Sequence, residues 1–379
     1  MTEEIGVGMV GHAFMGAVHS HAWRSVHRFF DVPLTPRLAV LGGRDAARTK
    51  DAATKYGWAA VETDWRALVA RDDVQLVDIC TPGDTHAEIA LAALAAGKHV
   101  LCEKPLANTV AEAEAMAAAA AEAAGRGVRS MVAFNYRRVP AIALARRLVE
   151  EGRIGEIRHV RAVYLQDWLS DPESPMTWRL RREKAGSGSL GDLGAHIVDA
   201  AQYVTGDLIT GVSATTETFV RERPDGDGRG EVTVDDAAVF LARFEGGALG
   251  TFEATRYALG RKNAMRLEVN GTRGSLAFDF ESMNELSVFS ADDGPSAGFR
   301  RVLVTEPDHP YVAAWWPPGH ILGYEHTFTH EAADFLTAIG DGVDPAPSFA
   351  DGLRVQRVLA AVEESAARQS TWTTIGDLG

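Results

Sequence analysis

Cysteine is nearly absent from this chain: there are two, Cys80 and Cys102, in 379 residues. Each closes a short apolar run, "VQLVDIC" and "KHVLC", so both are expected as buried strand thiols. A disulfide framework is thereby excluded, and a reducing, cytoplasmic setting fits. Long hydrophobic runs are missing as well; none approaches the roughly 20 residues that a membrane-spanning helix needs. The opening "MTEEIG" is acidic and lacks the basic start and apolar core of an export signal. Basic charge is in deficit: 38 Lys and Arg face 52 Asp and Glu, a net charge of -14. Such a surface repels phosphate backbones and anionic lipid, so neither nucleic acid nor membrane is an expected partner. No metal site is expected.

What remains is a well-mixed globular composition, 46% hydrophobic and 24% charged. The length exceeds one ordinary core and points to two domains. Over residues 1–134, apolar runs ("IGVGMV", "LAVLGG", "VQLVDIC", "KHVLC", "RSMVAFNY") alternate with helical stretches near 14–26, 45–56, 84–97 and 109–124. That rhythm predicts βαβ units and a doubly wound parallel sheet, an α/β Rossmann-type domain. From 135 to 379 the pattern becomes β-rich, and "EGG" and "NGTRG" read as hairpin turns. This predicts an α+β domain with a large, mainly antiparallel open sheet. Helices near 191–204, 326–339 and 351–368 would cover one face, and 221–231 would be a charged loop. Strands such as "AAVFLARF" leave the other face in need of cover, so a homodimer or homotetramer is expected.

The pattern G-x-G-x-x-G occurs in two overlapping frames. The literal one is Gly6, Gly8, Gly11, but too little chain precedes Gly6 to form the required strand. In the other frame residues 4–10 are the strand and Gly11, Ala13 and Gly16 form the turn. The helix then opens at Phe14 and Met15, and its N-terminus would receive a dinucleotide phosphate. Two further stretches carry chemistry. Lys104, in "EKP", follows a predicted strand and would stand over the crevice where open α/β sheets bind ligands, or else be a solvated loop lysine. Asp192 and His196 are four apart and would share a helix face. A carboxylate beside an imidazole orients it and raises its basicity, although Asp192 could equally be a helix cap.

These stretches, "VGMVGHAFMG", "DICTPGDTHAE", "GKHVLCEKPLA", "AFNYRR", "GSLGDLGAHIVD" and "EATR…NGTRGSL", resemble the glucose–fructose oxidoreductase / inositol dehydrogenase / MocA family over nearly the whole chain. The resemblance implies a nicotinamide-dependent dehydrogenase acting on a secondary hydroxyl of a sugar, anhydrosugar or cyclic polyol. It places Lys104, Asp192 and His196 at the catalytic positions, and Thr81, Pro82, His86 and Glu103 beside the cofactor. Asn135, Arg137, Gln166, Trp178 and Arg179 would lie near nicotinamide or substrate. Tyr164, Gln166, Asp167 and Trp168 could line a sugar site, because polar groups fix hydroxyls and indoles cover C–H faces; for Trp168 and Trp178 core packing is the alternative. His196 is the candidate base, with Lys104 stabilising the developing charge or relaying the proton. A glycoside hydrolase using transient oxidation and a non-catalytic cofactor-binding module are the rivals. A short-chain dehydrogenase is disfavoured, since no Tyr-x-x-x-Lys occurs.

NAD and NADP both remain open. The acidic residue that usually binds the ribose hydroxyls falls near Gly43 in "LGGRDAARTK". Glycine there leaves room for a 2′-phosphate, which Arg44 and Arg48 could grip. Asp45, one frame on, would instead bind the ribose, and Arg44 could merely stack on adenine. The expectation leans to NADP or dual use. The aromatic, proline-rich segment 306–324 is expected as a lid, a subunit arm or a packed interface loop.

Overall fold

The computed structural model describes residues 3–376. The first elements alternate strictly: β1 (Glu3–Val10), α1 (Phe14–Phe29), β2 (Leu34–Gly42), α2 (Ala46–Tyr56), β3 (Ala60–Glu62), α3 (Trp65–Val69), β4 (Leu76–Ile79), α4 (His86–Ala95), β5 (His99–Glu103), α5 (Val110–Ala124) and β6 (Ser130–Ala133). Their six strands form one parallel sheet in the order β3-β2-β1-β4-β5-β6. Strands buried on both faces read as continuous apolar runs, as in Ile5–Val10 of β1. Local signals set the helix ends: Asp45 caps α2, and a Thr109–Glu112 capping box opens α5. The short β3 and α3 carry too few residues to show a period and were not foreseen.

The chain continues with α6 (Pro140–Glu150), β7 (Ile157–Leu165), α7 (Arg182–Ala185), α8 (Ala195–Thr205), β8 (Ile209–Glu217), β9 (Glu222–Asp225), β10 (Gly228–Glu231), β11 (Ala237–Phe244), β12 (Leu249–Thr255), β13 (Ala264–Gly271), β14 (Gly274–Asp279), β15 (Glu285–Ser290) and β16 (Arg300–Leu303). It ends with α9 (Tyr324–Asp341), α10 (Phe349–Ala367) and β17 (Thr373–Thr374). Nine strands make a second sheet, β16-β15-β14-β13-β7-β12-β11-β8-β17, antiparallel except where β7 and β12 run parallel. In β11 every second residue is buried; Phe240 stacks on Phe252 of β12 at 4.6 Å on the inner face, while Val239, Leu241 and Leu249 are exposed on the outer one.

Two compact units result: residues 1–138 with 322–353, and 139–321 with 354–379. This differs from the expected division at 134/135, because α9 belongs to the first unit. Its Phe328, Ala332, Phe335 and Leu336 share a core with Trp23 and Val26 of α1. A helix's apolar stripe says that it is covered but not by which sheet, so sequence order misassigned it. The stretch 221–231, expected as a loop, folds as the β9–β10 hairpin, with Gly226 at φ +61° in its turn. Among the described residues no helix is long and apolar enough to cross a membrane.

The β1–α1 turn follows the second glycine frame, since β1 runs through Gly6 and Gly8. Gly11 has φ +102°, and a Cβ there would meet the Cys80 carbonyl oxygen at 2.5 Å. A Cβ on Gly16 would meet the Gly11 carbonyl oxygen at 2.3 Å. Gly11→Ala is therefore expected to destabilise the fold by roughly 1–3 kcal/mol, the scale of one strained residue. Urea unfolding of the two proteins measures this, and an unchanged midpoint would contradict it.

Candidate functional site

Each unit carries its own part of the proposed chemistry. On the first unit, α1 begins at Phe14 after Ala13, and no side chain caps it. Uncapped N–H groups at a helix start suit an anion, and the glycine contacts above leave the turn tight. Thr81 and Pro82 follow β4. Thr81 Oγ1 accepts from Thr85 Oγ1 at 2.7 Å. The His86 ring nitrogens lie 2.9 Å from the Thr81 carbonyl and 3.0 Å from that of Pro105. The ring thus ties the Thr81 loop to the turn after β5. Asn135 donates to Thr327 Oγ1 at 2.9 Å and is buried. At the end of β2, Asp45 Oδ1 accepts from the Arg48 backbone N–H at 3.0 Å, and Arg48 Nε lies 3.6 Å from Asp45 Oδ2. Arg48, expected to help hold a phosphate, is therefore turned toward Asp45.

Lys104 stands at the end of β5, between Glu103 and a cis Lys104–Pro105 bond. Glu103 is buried, and its Oε2 accepts from the Lys104 N–H at 3.1 Å. Its Oε1 lies 3.0 Å from Nε2 of His19. The opposite ring nitrogen, Nδ1, is 2.9 Å from Asp78 Oδ2, which also accepts from Trp23 Nε1 at 2.7 Å. Sequence reasoning missed this line of groups; the one signal was an aspartate inside the apolar run "VQLVDIC". His19, Asp78 and Cys80 bring ligand-type atoms within 4.8 Å of one another. With both ring nitrogens engaged by carboxylates and the Cys80 thiol pushed up by burial, the group is a hydrogen-bond network. Glu331 of α9 lies in the same interior, fully buried, and burial raises its carboxyl to about 8 against a partial counter-effect of Arg138 and His19.

On the second unit, Asp192 lies in a π-helical turn, Leu190–Gly194, that leads directly into α8 and His196. The sequence predicted a plain α-helix; one wide turn re-aims the residues that precede it, a feature frequent at functional sites. Asp235 sets this turn. Its Oδ1 accepts from the Gly188 N–H at 2.7 Å, and its Oδ2 accepts from Ser189 Oγ at 2.6 Å and the Leu190 N–H at 2.8 Å. Gly188 has no room for a Cβ, which would fall 1.7 Å from the Asp235 carbonyl oxygen. Arg256, wholly buried, donates to that same carbonyl at 3.2 Å, lies 3.7 Å from Asp192 Oδ2 and faces Trp168 at 5.6 Å. Neither Asp235 nor Arg256 was foreseen, although "EATR" contains the arginine.

Beside His196 is a polar wall. The rings of Tyr164 and His196 are 5.9 Å apart. Tyr164 Oη and Gln166 Nε2 both donate to Asn263 Oδ1, at 2.7 and 2.6 Å, and Trp168 Nε1 donates to Gln166 Oε1 at 2.9 Å. Asp167 pairs with Lys262 at 2.7 Å and accepts from the Gly260 N–H at 3.1 Å. Trp168 and Trp178 are partly exposed, so neither is a core residue; Arg179 covers the Trp178 ring at 4.4 Å. The β9–β10 hairpin braces the loop between them, since buried Arg223 donates to the carbonyls of Leu169 and Asp171 at 2.7 Å. In segment 306–324, Trp315 and Trp316 contact each other at 6.2 Å and His320 Nδ1 lies 2.8 Å from the Pro317 carbonyl.

Family models match both units: an oxidoreductase family with an NAD-binding Rossmann fold over residues 5–134, and a GFO/IDH/MocA C-terminal domain over 142–277. Levoglucosan dehydrogenase of Pseudarthrobacter phenanthrenivorans is 42% identical, with 98% of each chain covered. The chain belongs to the GFO/IDH/MocA oxidoreductase family. Inositol 2-dehydrogenase of Rhizobium meliloti is 27% identical over 96% of this chain and 97% of its own. Among solved structures, an oxidoreductase domain protein from Kribbella flavida superposes at a TM-score of 0.97 with 68% identity over all of both chains. Levoglucosan dehydrogenase in complex with NADH and levoglucosan superposes at 0.95 with 43% identity, covering 98% of this chain and 99% of that one. The Rossmann unit and the mostly antiparallel second sheet expected from the sequence are thus those of the GFO/IDH/MocA fold.

Glu331 yields a test of the buried cluster. Its folded-state pKa lies above the ordinary value of 4.5. The protonated group's contribution is therefore fully present below that value and is lost as pH rises through about 8. Glu331→Gln removes this penalty. Its melting temperature should match wild type near pH 4 and exceed it near pH 8.5; a pH-independent difference would contradict the assignment.

Proposed function

We propose that this protein is an NAD-dependent dehydrogenase that oxidises a secondary hydroxyl of a sugar, anhydrosugar or cyclic polyol. The observation that carries the proposal is the wall of Tyr164, Asn263, Gln166 and Trp168 beside His196 and Asp192. A ligand dense in hydroxyls needs interlinked donors and acceptors with an indole face between them. The similarity to levoglucosan dehydrogenase and to inositol 2-dehydrogenase supports the same class.

Gly11, Ala13, Phe14, Met15 and Gly16 would hold the cofactor's phosphates at the start of α1, and Thr81, Pro82, Glu103, Asn135, Trp178 and Arg179 its nicotinamide side. When bound, the nicotinamide supplies the hydride acceptor. The protein supplies a proton path and charge stabilisation. His196 is assigned the hydroxyl proton, Lys104 the stabilisation of developing negative charge, and Asp192 the orientation of the substrate or the imidazole. Arg256 and Asp235 keep Asp192 in register. NAD is preferred to NADP in this proposal. A carboxylate at the N-cap of α2 would repel a 2′-phosphate, Arg48 is directed to Asp45, and NADH is bound in solved structures of levoglucosan dehydrogenase.

The test is a panel of anhydrosugars, inositols and aldoses with each oxidised cofactor, followed by nicotinamide absorbance. Reduction of NAD by at least one member is expected, and Lys104→Met or His196→Ala should cut turnover by roughly 100-fold with cofactor binding retained. Near-normal turnover in Lys104→Met refutes the catalytic assignment. Release of free sugar without net cofactor change would favour a hydrolase.

The outer face of the second sheet supports assembly, for Val239, Leu241 and Leu249 are exposed there. A homodimer or homotetramer that buries them is proposed. Light scattering at micromolar concentration should report an oligomer, and Leu241→Asp should shift it toward monomer; a monomeric wild type refutes this.

A further inference from the structure

Among the described residues, the buried line Trp23–Asp78–His19–Glu103 ends on the peptide of Lys104. We propose that His19 is a positioning residue for Lys104: held as an imidazolium between two carboxylates, it fixes Glu103, whose second oxygen holds the Lys104 N–H. The inference deepens the dehydrogenase reading and rests on it only in giving Lys104 a catalytic task.

Donor accounting supports the charged ring. A neutral imidazole has one N–H and one acceptor nitrogen. Here Nδ1 lies 2.9 Å from a carboxylate oxygen of Asp78 and Nε2 lies 3.0 Å from one of Glu103. Neither carboxylate can donate unless protonated, so both ring nitrogens are donors. Charge accounting agrees. The groups around the ring are Asp78 on β4 and Cys80 just after it, Glu103 on β5, and Tyr324, Phe328 and Glu331 on α9. Trp23 comes from the same helix as His19. Burial pushes the Glu331 carboxyl upward, so the carboxylates in hydrogen-bond contact with the ring are those of Asp78 and Glu103. Burial works to strip the ring of its proton, but Asp78 and Cys80 together outweigh it, and the pKa of His19 is raised well above 6.5.

The arrangement has a direction. Trp23 fixes Asp78, Asp78 fixes the ring, and the ring fixes one oxygen of Glu103. The other oxygen is thereby aimed at the Lys104 N–H. Replacing the ring with a group that donates to one carboxylate only leaves Glu103 able to rotate, and the backbone that carries the Lys104 amine is released.

Three measurements test this. Nitrogen-15 NMR of the wild-type ring should show both nitrogens protonated at about pH 8, where a free histidine is neutral; a neutral ring overturns the proposal without any variant. In His19→Gln, hydrogen exchange of the Lys104 amide should accelerate by about tenfold, roughly the loss of one hydrogen bond, while the Val100 and Leu101 amides of β5 keep wild-type rates. Equal acceleration throughout β5 marks a merely structural role and overturns it. Finally, His19→Gln should lower kcat by about tenfold with NAD affinity unchanged, and should have no further effect in Lys104→Met, since the two act through one group. An equal loss in both backgrounds overturns it. If the wild type oxidises no polyol with NAD, the functional reading falls, while ring protonation and Lys104 exchange still decide whether His19 holds this turn.

Discussion

The first unit depends on a buried carboxylate. Asp78 sits inside a parallel strand whose neighbours are all buried, with no solvent exposure of its own. An ionised carboxylate without partners in such a place costs several kcal/mol. The fold offsets this with His19 and Trp23, two residues one helical turn apart on α1. That requirement fixes the rotation of α1 about its axis. It thereby also fixes where the uncapped start of α1 points and how closely the helix approaches β1 at Gly16. One electrostatic constraint so links the candidate phosphate turn at one end of α1 to the Lys104 turn at the end of β5.

The second unit solves an analogous problem with a different carboxylate. Asp235 accepts from the N–H groups of Gly188 and Leu190 and from the Ser189 hydroxyl, all at the start of the wide turn that carries Asp192. Backbone N–H groups at a helix start have no intrahelical acceptor. A carboxylate there stabilises them and selects this one geometry for the turn. Arg256 then balances the acid through the Asp235 carbonyl and Asp192. In both units a buried acid acts on backbone N–H groups beside a candidate catalytic residue. Precision at Lys104 and at Asp192 and His196 thus originates in residues that would not themselves touch a substrate.

Elements that carry their own period were legible in the sequence. The βαβ alternation, the second glycine frame and the hairpins after "AAVFLARF" and "AMRLEVN" each show in a local window. Lys104, Asp192 and His196 stood out because of their neighbours in sequence. What stayed hidden depends on contacts across long sequence separations. Asp78 meets His19 across 59 residues, and Asp235 meets Ser189 across 46. Nothing local to either aspartate announces its partner. The placement of α9 in the first unit is hidden for the same reason, since an apolar stripe does not name the surface that will cover it.

Gly43 makes the limit concrete. In sequence, a glycine where an acidic residue is expected reads as room for a larger ligand. In the fold that space is already filled: a Cβ on Gly43 would fall 2.4 Å from Thr49 Oγ1 and 2.6 Å from the His12 ring. His12 comes from the β1–α1 turn and Thr49 from α2, where its hydroxyl also bonds the Asp45 carbonyl at 2.6 Å. The glycine is therefore demanded by packing between the turn and α2. It is a contact residue, and its lack of a side chain is accounted for without a phosphate. The same absence of a Cβ can mean room for a ligand, a left-handed backbone as at Gly11, or a neighbour already in place. Only the third dimension separates these meanings.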